Sequence, residues 1–290
     1  MKKLAIISNI LLITLITALA CSINNETGIN EDTLTVSDFD TLGLLHNDGL
    51  SYVKSNLDTE TISSKSDYYD QIHSLNIEFI QQYDIPNNGN RDMYTEYLNK
   101  YSKFIDPDIL SSEVFGIQYS SQQKVTDNPI EELLKPLVFN PFAYDLLNSF
   151  INDLEQNMIG RLSDNQVRKN LEGYISSYNK YGFKMDSPEG ALLGSVFAIS
   201  LHSLDWWENN PDAVSDSKLK VIPLWLLRDA IGAIIGGLQQ YQEELDGGMG
   251  EHSGRRIAIG AVVGGLSASA GAIGAPDITI DPKDPFSDGK

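Results

Sequence analysis

The chain has 290 residues, 41% of them hydrophobic and 21% charged, which excludes global disorder and suits one medium-sized folded unit or two small ones. Its formal net charge of −19 disfavours non-specific binding to nucleic acid, so we expect no nucleic-acid partner. The single cysteine, Cys21, excludes an intrachain disulfide and a zinc site built from thiolates.

The first 20 residues have the plan of an export signal. Lys2 and Lys3 precede an apolar run interrupted only by small polar residues, and small residues stand just before Cys21. This plan predicts a signal peptide over residues 1–20 rather than a permanent membrane span. The run Ala18-Leu19-Ala20-Cys21 resembles the lipobox of bacterial lipoproteins, although that family usually has leucine at the position of Ala18.

The resemblance implies cleavage before Cys21, a diacylglycerol thioether on its sulfur and an acylated amino terminus carrying fatty acids such as palmitate. Several acyl chains anchor a protein stably, since each buried methylene contributes about 0.8 kcal/mol. Ser22 follows the cysteine, where an aspartate would indicate the inner membrane, so the family analogy favours the outer membrane of the bacterial cell envelope. The alternative is an ordinary cleaved signal with an incidental cysteine.

A lipidated flexible tether over residues 21–36 is expected to lead into a helical domain over 37–275. Residues 22–36 are polar and lack aromatic side chains, and a flexible chain of that length spans on the order of 20 Å. Ser37 or Asp38 is a candidate N-cap for the first helix. Its apolar residues, and those of the next two segments, recur at helical spacing: Phe39, Leu42, Leu45, Leu50 and Val53; Ile72, Leu75, Phe79 and Tyr83; Tyr94, Tyr97, Tyr101 and Phe104.

The middle of the chain contains a candidate subdomain boundary and three further helices. Residues 106–129 are rich in serine and glutamine and have weak periodicity, which is typical of a long connection. Two helices are predicted between residues 140 and 183, with Ser163 or Asp164 capping the second. Ser187 followed by Pro188 predicts the start of another helix, which the NNP sequence at 209–211 ends. The sequence therefore predicts an all-α multi-helix bundle.

Residues 220–275 predict an antiparallel helical hairpin with a small-residue face. Five glycines in IAIGAVVGGLSASAGAIGA, residues 257–275, each cost about 1 kcal/mol in a helix, so close packing must offset them. The candidate helix-packing residues recur every four positions: Gly232, Gly236, Gly260, Gly264, Ala268 and Ala272. This pattern resembles the glycine-zipper hairpins of bacterial envelope proteins and small bacteriocins. The segments LHNDGLSYV and SPEGALLGSV also resemble parts of exported bacterial lipoproteins of unassigned activity.

The hairpin has two interpretations. Nineteen helical residues reach about 28 Å, close to the thickness of a bilayer core. However, six of them are Ile, Val or Leu, and the partner segment carries Arg228 and Asp229, each costing about 2.5–3.5 kcal/mol at a bilayer centre. We therefore favour a hairpin buried in protein over one inserted in a membrane. The acidic tail over 276–290 is expected to be extended and mobile.

Signatures of catalysis, metal binding and cofactors are not found in the sequence. His202 and Asp205 stand three apart on one predicted helix, but a metal site needs three or four ligands, so a local hydrogen bond is the favoured interpretation. The tyrosine stripes at 94–104 and at 174–181 are interpreted as core rather than as a ligand groove. Trp206 and Trp207 point about 100° apart on a helix, so we expect one to be exposed or at a subdomain junction.

Two functional hypotheses result. The first is a lipid-anchored envelope protein that is not an enzyme and whose domain is a structural or interaction module, with a protein partner or self-association. The second is a membrane-active or self-assembling protein that acts through the glycine-rich hairpin. Neither needs a cofactor. A hydrolase built from dispersed carboxylates has no positive support in the sequence.

Overall fold

The computed structural model describes residues 33–83, 91–106, 139–158, 161–213, 222–250 and 252–274, and within these ranges the chain forms eight α-helices. These residues contain helices and two short 3-10 turns, Val36–Phe39 and Ser102–Ile105, and no strand, which confirms the predicted all-α bundle. The helices, all in the unit Leu34–Lys290, are α1 Asp40–Asn56, α2 Lys65–Gln82, α3 Arg91–Tyr101, α4 Pro141–Met158, α5 Asp164–Tyr181, α6 Pro188–Asn209, α7 Ile222–Gly247 and α8 Ser253–Ala270.

Serine side chains cap three of the helices. Ser64 accepts a hydrogen bond from the Asp67 N–H at 3.1 Å, and Ser163 and Ser187 cap α5 and α6 in the same way. Pro188 occupies the first turn of α6, where a backbone N–H has no acceptor within the helix, so proline costs no hydrogen bond there. The predicted caps at Ser163 and Ser187 are confirmed.

The start of α1 differs from the prediction. Thr35, and not Ser37 or Asp38, is the capping residue, because the Asp38 carboxylate reaches back and accepts the Thr35 N–H at 2.7 Å. This capping box first starts the 3-10 turn Val36–Phe39, and α1 begins only at Asp40.

The predicted apolar stripes face the core, as their periodicity indicates. Two of the predicted apolar residues are only partly buried: Leu42 of α1 and Tyr83, which follows the end of α2. The buried ones are Phe39, Leu45, Leu50 and Val53, then Ile72, Leu75 and Phe79, then Tyr94, Tyr97, Tyr101 and Phe104. Aromatic residues therefore supply much of the packing around α2 and α3.

The α7–α8 hairpin lies at the centre of the bundle. α7 packs on α8 along its length and also on α6, while α8 packs on α6, α1 and α3. The α4–α5 pair covers the outer side of α6 and α7. Helices therefore surround the segment that the sequence analysis singled out for its glycines.

Four helix termini lie together at one end of the bundle: the end of α5, the start of α6, the end of α7 and the start of α8. This end is called the Leu34 end below. The Tyr178 hydroxyl donates to the Gly190 carbonyl at 2.8 Å, and the Tyr241 hydroxyl donates to Glu189 at 3.4 Å. The described chain enters the bundle here, where the Leu34 N–H donates to the Phe183 carbonyl at 2.6 Å.

Several predicted segments lie outside the described residues. They are the signal peptide, Cys21 and most of the tether (residues 1–32), nearly all of the predicted boundary at 106–129, which falls within 107–138, and the acidic tail at 276–290. Those predictions remain predictions.

Candidate functional site in the central hairpin

The glycine face of the hairpin consists of two reciprocal contacts between α7 and α8. A Cβ atom built on Gly232 would lie 2.5 Å from the Gly264 carbonyl oxygen, and one built on Gly260 would lie 2.6 Å from the Gly236 carbonyl oxygen. Because both obstacles are backbone atoms, no side-chain rotation relieves the clash. The two helices approach each other at a distance that only glycine permits.

The structure brings five of the six predicted packing residues into this contact. Ala268 lies beside Gly232, since its Cβ would be 2.6 Å from an added Cβ there. Ala272 is different: it is buried, but it follows the end of α8 in a turn where its N–H donates to the Ser269 carbonyl at 2.9 Å. The predicted helix over 257–275 therefore ends early, at Ala270, and Gly274 with φ +64° completes the turn.

Other glycines serve contacts that the four-residue pattern did not predict. An added Cβ on Gly237 would clash with Leu192 of α6, and one on Gly49 of α1 would lie 2.7 Å from Leu266 of α8. Every residue from Ile257 to Ala270 is buried. Glycines of the hairpin and of α1 therefore also make room for leucine side chains of the helices packed against them.

A buried carboxylate, Asp229, lies towards the start of α7. Its Oδ2 accepts hydrogen bonds from the Ser203 hydroxyl and from Trp207 Nε1, the latter at 2.8 Å. His46 Nε2 lies 3.9 Å from the same oxygen and 3.3 Å from the Ser269 hydroxyl. These five residues, called the Asp229 cluster below, join α1, α6, α7 and the end of α8.

Burial shifts both ionisable groups of the Asp229 cluster towards their neutral forms. Loss of solvation raises the pKa of Asp229 to about 7, although the hydrogen bonds from Ser203 and Trp207 and the charge of Arg228 act in the opposite direction. Loss of solvation also lowers the pKa of His46 to about 4, against a hydrogen bond to Asn47. At neutral pH the imidazole is therefore uncharged.

Arg228 is the second buried charge of α7. Its Nη2 donates to the Ile105 carbonyl at 3.3 Å, and burial lowers the pKa of its guanidinium. The Tyr68 hydroxyl, beside it, donates to the Ile273 carbonyl at 2.8 Å. In the sequence, Arg228 and Asp229 indicate only that a membrane span is disfavoured. In the structure both residues link α7 to neighbouring elements.

A charged contact closes the hairpin at the Leu34 end. Arg256 pairs with both carboxylate oxygens of Glu244, and the Ser253 hydroxyl donates to the same carboxylate at 2.7 Å. The hydrogen bonds from Arg256, Ser253 and Gln240 lower the pKa of Glu244 to about 2, although partial burial acts against them. The carboxylate is thus ionised under all ordinary conditions.

The Asp229 cluster contains serine, histidine and aspartate but not the geometry of nucleophilic catalysis. In such a triad the serine hydroxyl donates to the imidazole, whereas here Ser203 donates to the carboxylate. Ser269, the serine beside the imidazole, donates its hydroxyl proton to the Gly265 carbonyl at 2.8 Å. Ser203, His46 and Asp229 are each 0% exposed. Within the described residues the arrangement holds helices together and does not present a nucleophile.

His202 and Asp205 do not form a pair. His202 Nε2 lies 3.5 Å from Asp40 of α1, while Asp205 binds Arg168 of α5 at 2.9 Å. Across the described ranges, no group of three or more His, Cys, Asp or Glu side chains is close enough to hold a metal ion.

The tryptophan expectation was wrong, because both side chains are buried. Trp206 is 6% exposed and Trp207 3% exposed. α6 is enclosed on two sides, so Trp206 Nε1 donates to Ser51 of α1 at 2.8 Å while Trp207 faces Asp229 of α7. The 100° separation places the two rings against different helices of one core.

The tyrosine stripe of α5 is core only in part. Tyr178 is buried and Tyr174 is partly buried, its hydroxyl donating to Asp153 at 2.6 Å. Tyr181 is 46% exposed and stacks on Phe142 with ring centroids 4.2 Å apart.

The fold and the site together define an all-α helical bundle built around a close-packed central hairpin. None of the helices in the described part of the chain is long and apolar enough to cross a membrane. Comparison of the chain with protein-family models, with curated proteins and with solved structures gave no match.

Proposed function

We propose that the protein is a bacterial lipoprotein of the cell envelope, held at the outer membrane by lipid on Cys21, whose helical domain is a non-catalytic structural or interaction module. The signal-like residues 1–20 and the lipobox-like Ala18–Cys21 support the anchor. The observation that carries the module is the enclosure of the hairpin, in which every residue from Ile257 to Ala270 is buried by the rest of the bundle.

The enclosure supports a structural role because it accounts for the unusual sequence without a membrane. The glycines allow backbone contact between α7 and α8, and the same helices contact α6 and α1 through Gly237 and Gly49. Arg228 and Asp229 have protein partners in this setting. In a bilayer centre each would cost about 2.5–3.5 kcal/mol.

The buried polar groups also support a non-catalytic module. Asp229 and His46, whose pKa values both shift towards the neutral form, are fully buried and enclosed by helices. Perturbed groups of an enzyme site lie in a cleft where substrate reaches them. We therefore assign the perturbation here to the joining of helices.

The anchor is tested at the amino terminus of the mature protein. Mass spectrometry is expected to show a chain that begins at Cys21 with a mass increase of a diacylglyceryl group and fatty acyl chains. A Cys21→Ala variant is expected to leave the membrane fraction, while a Ser22→Ala variant remains in it. A Cys21→Ala protein that still sediments with membranes would refute lipid anchoring.

A second candidate function is membrane activity through the hairpin, and one observation favours it: α7 and α8 contact each other through their own backbones, a contact that would survive their departure from the bundle. Protonation of Asp229, whose pKa is about 7, would remove one of the charges that oppose insertion.

Dye leakage from vesicles separates the two candidates. The mature chain is compared at pH 7 with an Asp229→Asn variant, which mimics the protonated acid while keeping its shape. The structural module is expected to leave vesicles intact in both forms. Leakage by the wild-type chain, increased by the variant, would establish the membrane-active alternative instead.

A further inference from the structure

Exposed apolar side chains gather at one end of the bundle. In the described part of the chain five large hydrophobic residues are exposed, and four of them belong to the Leu34 end. Met185 is 60% exposed, Tyr181 46%, Met249 39% and Leu245 38%, whereas the fifth, Leu44, is 50% exposed on the side of α1.

The four residues come from elements that converge at this end. Tyr181 ends α5 and Met185 lies in the connection to α6, while Leu245 is in the last turn of α7 and Met249 is in the turn of the hairpin. The contact between the Tyr241 hydroxyl and Glu189 places the end of α7 level with the start of α6. The four residues are called the end patch below.

The described chain enters the bundle beside the end patch. Leu34 is hydrogen-bonded to Phe183, which stands two residues from both Tyr181 and Met185. Residues 22–33 separate Leu34 from Cys21. The flexible tether that the sequence predicts here would have an end-to-end distance of about 20 Å, and a lipid on Cys21 would then hold this end of the bundle nearest to the bilayer.

The opposite end of the bundle is where the described chain finishes. There the Gly274 N–H donates to the Ala213 carbonyl at 2.9 Å, beyond the end of α6. α6 has 22 residues and so separates the two ends by about 33 Å. An anchored molecule therefore has one end directed to the membrane and the other away from it.

The side chains of the end patch suit the interface of a bilayer. Tyrosine is enriched at the headgroup level, and the flexible side chains of Met and Leu can enter the acyl boundary. Lys180 and Lys184, both exposed, flank the patch, but the exposed Asp186 and Asp246 lie at the same end. The acidic side chains at this end also include the exposed Asp38, and the basic side chains do not outnumber them. A headgroup layer without net charge is therefore a better match than an anionic one.

We propose that the end patch docks on the zwitterionic phospholipid surface of the membrane that carries the anchor, and so fixes the orientation of the bundle. The proposal rests on the proposed function, because Tyr181, Met185, Leu245 and Met249 are too few to hold the protein at a membrane without an anchor. Docking places these side chains about 5–10 Å into the interface. Gly43, the neighbour of Leu44, packs against Ala198 of α6. Ala198 lies ten residues, or about 15 Å, along α6 from its start beside the patch.

The test replaces the natural anchor so that it does not depend on lipidation. The mature chain with Cys21→Ser and an amino-terminal histidine tag is captured on phosphatidylcholine vesicles that contain a nickel-chelating lipid. This chain has no other cysteine. A single cysteine at Met185, Met249 or Leu44 is labelled with an environment-sensitive fluorophore, and quenching by lipids that carry a nitroxide near the headgroup is measured.

Docking is expected to give quenching at positions 185 and 249 that exceeds quenching at position 44 by roughly twofold or more, since the nitroxide acts over a distance shorter than the separation of about 15 Å. Equal quenching at the three positions would overturn docking while leaving lipid anchoring intact. Conversely, a mature chain without lipid on Cys21 would refute the anchor, and the quenching ratio would still decide whether the patch docks.

A second set of variants tests whether the patch causes the orientation. Replacing Tyr181, Met185 and Leu245 together by serine, with the label at position 249, is expected to reduce the quenching ratio to about one. The matched control, Leu44→Ser with the label at position 249, is expected to keep the quenching that position 249 shows without this substitution. Far-ultraviolet circular dichroism shows that the triple variant retains its helices, and an unchanged ratio in a folded triple variant would overturn the role of the patch.

Discussion

The α7–α8 hairpin and the neighbouring α2–α3 region bury their surfaces in opposite ways. The hairpin brings backbone against backbone at Gly232 and Gly260, with no room for one methyl group. The α2–α3 region fills its core with large rings such as Tyr68, Tyr101 and Phe104. Rings can shift between rotamers when a neighbour changes, whereas backbone atoms cannot, so the hairpin is the more demanding of the two surfaces.

The largest expected effect comes from one methyl group on the glycine face. Gly260→Ala places a Cβ about 2.6 Å from the Gly236 carbonyl oxygen, so α7 and α8 must separate. We expect the free energy of unfolding to fall by about 2–3 kcal/mol, despite the better helix propensity of alanine. Urea denaturation followed by circular dichroism measures the change.

Gly173 of α5 provides the matched control. An added Cβ there meets nothing within 4 Å. Gly173→Ala is therefore expected to raise the free energy of unfolding by about 0.5–1 kcal/mol, because only helix propensity changes. Equal effects of the two substitutions would show that backbone contact does not hold the hairpin.

The second prediction concerns how the free energy of unfolding changes with pH. This change depends on the ionisable residues of the Asp229 cluster and not on the glycine face. The pKa of Asp229 rises from 3.8 to about 7 on folding, so between these values the folded protein retains a proton that the unfolded chain has released. This acid therefore lowers the free energy of unfolding as pH rises from 4 to 7. The pKa of His46 falls from 6.5 to about 4, so the imidazole acts in the opposite direction between pH 4 and 6.5.

In the wild-type protein Asp229 and His46 change the free energy of unfolding with pH in opposite directions, so each contribution is measured with a single substitution. Relative to wild type, Asp229→Asn is expected to gain stability as pH rises from 4 to 6.5, and His46→Gln is expected to lose stability over the same range, each by roughly 2 kcal/mol. Thermal unfolding at a series of pH values measures both slopes. Slopes of the same sign in the two variants would contradict the assignment.

The sequence predicts the helices and their apolar faces because these depend on residues a few positions apart. Ser163 and Ser187 are recognisable as caps, and Ile72, Leu75 and Phe79 share a face through their spacing alone. The early end of α8 at Ala270 was missed, since it depends on the turn that binds Gly274 to Ala213.

The Asp229 cluster could not be predicted in this way. His46 and Asp229 are 183 positions apart, and nothing in the local pattern of either residue indicates the other. An available signal was the presence of two adjacent charges, Arg228 and Asp229, in the otherwise apolar first half of α7. Such charges indicate buried partners when the helix is enclosed by protein.

The third prediction addresses the closing contact of the hairpin. Arg256→Gln removes the charged partner of Glu244, whose side chain is 8% exposed. We expect a loss of about 1–2 kcal/mol at pH 7, since hydrogen bonds to charged groups contribute about that much. The pKa of Glu244 is lowered from 4.5 to about 2, so the difference between variant and wild type should disappear as pH falls through this range.

The matched control for Arg256 is the exposed pair of Lys54 and Asp212, whose carboxylate side chain is 75% exposed. Lys54→Gln is expected to change the free energy of unfolding by less than about 0.5 kcal/mol, because solvent screens an exposed pair. A loss as large as that of Arg256→Gln would show that burial does not distinguish the two contacts.

The smallest expected effect lies where the two regions meet. The Tyr101 hydroxyl donates to the Gly236 carbonyl at 3.1 Å, and its ring stacks on Phe104 with centroids 5.6 Å apart. Tyr101→Phe removes the hydrogen bond and keeps the ring, so a loss of about 1 kcal/mol is expected. Tyr101→Leu also removes the ring, so its loss should exceed that of Tyr101→Phe. If the two variants lose equal stability, the hydroxyl rather than the ring joins the aromatic region to the hairpin, because in that case the stacked ring would contribute nothing measurable.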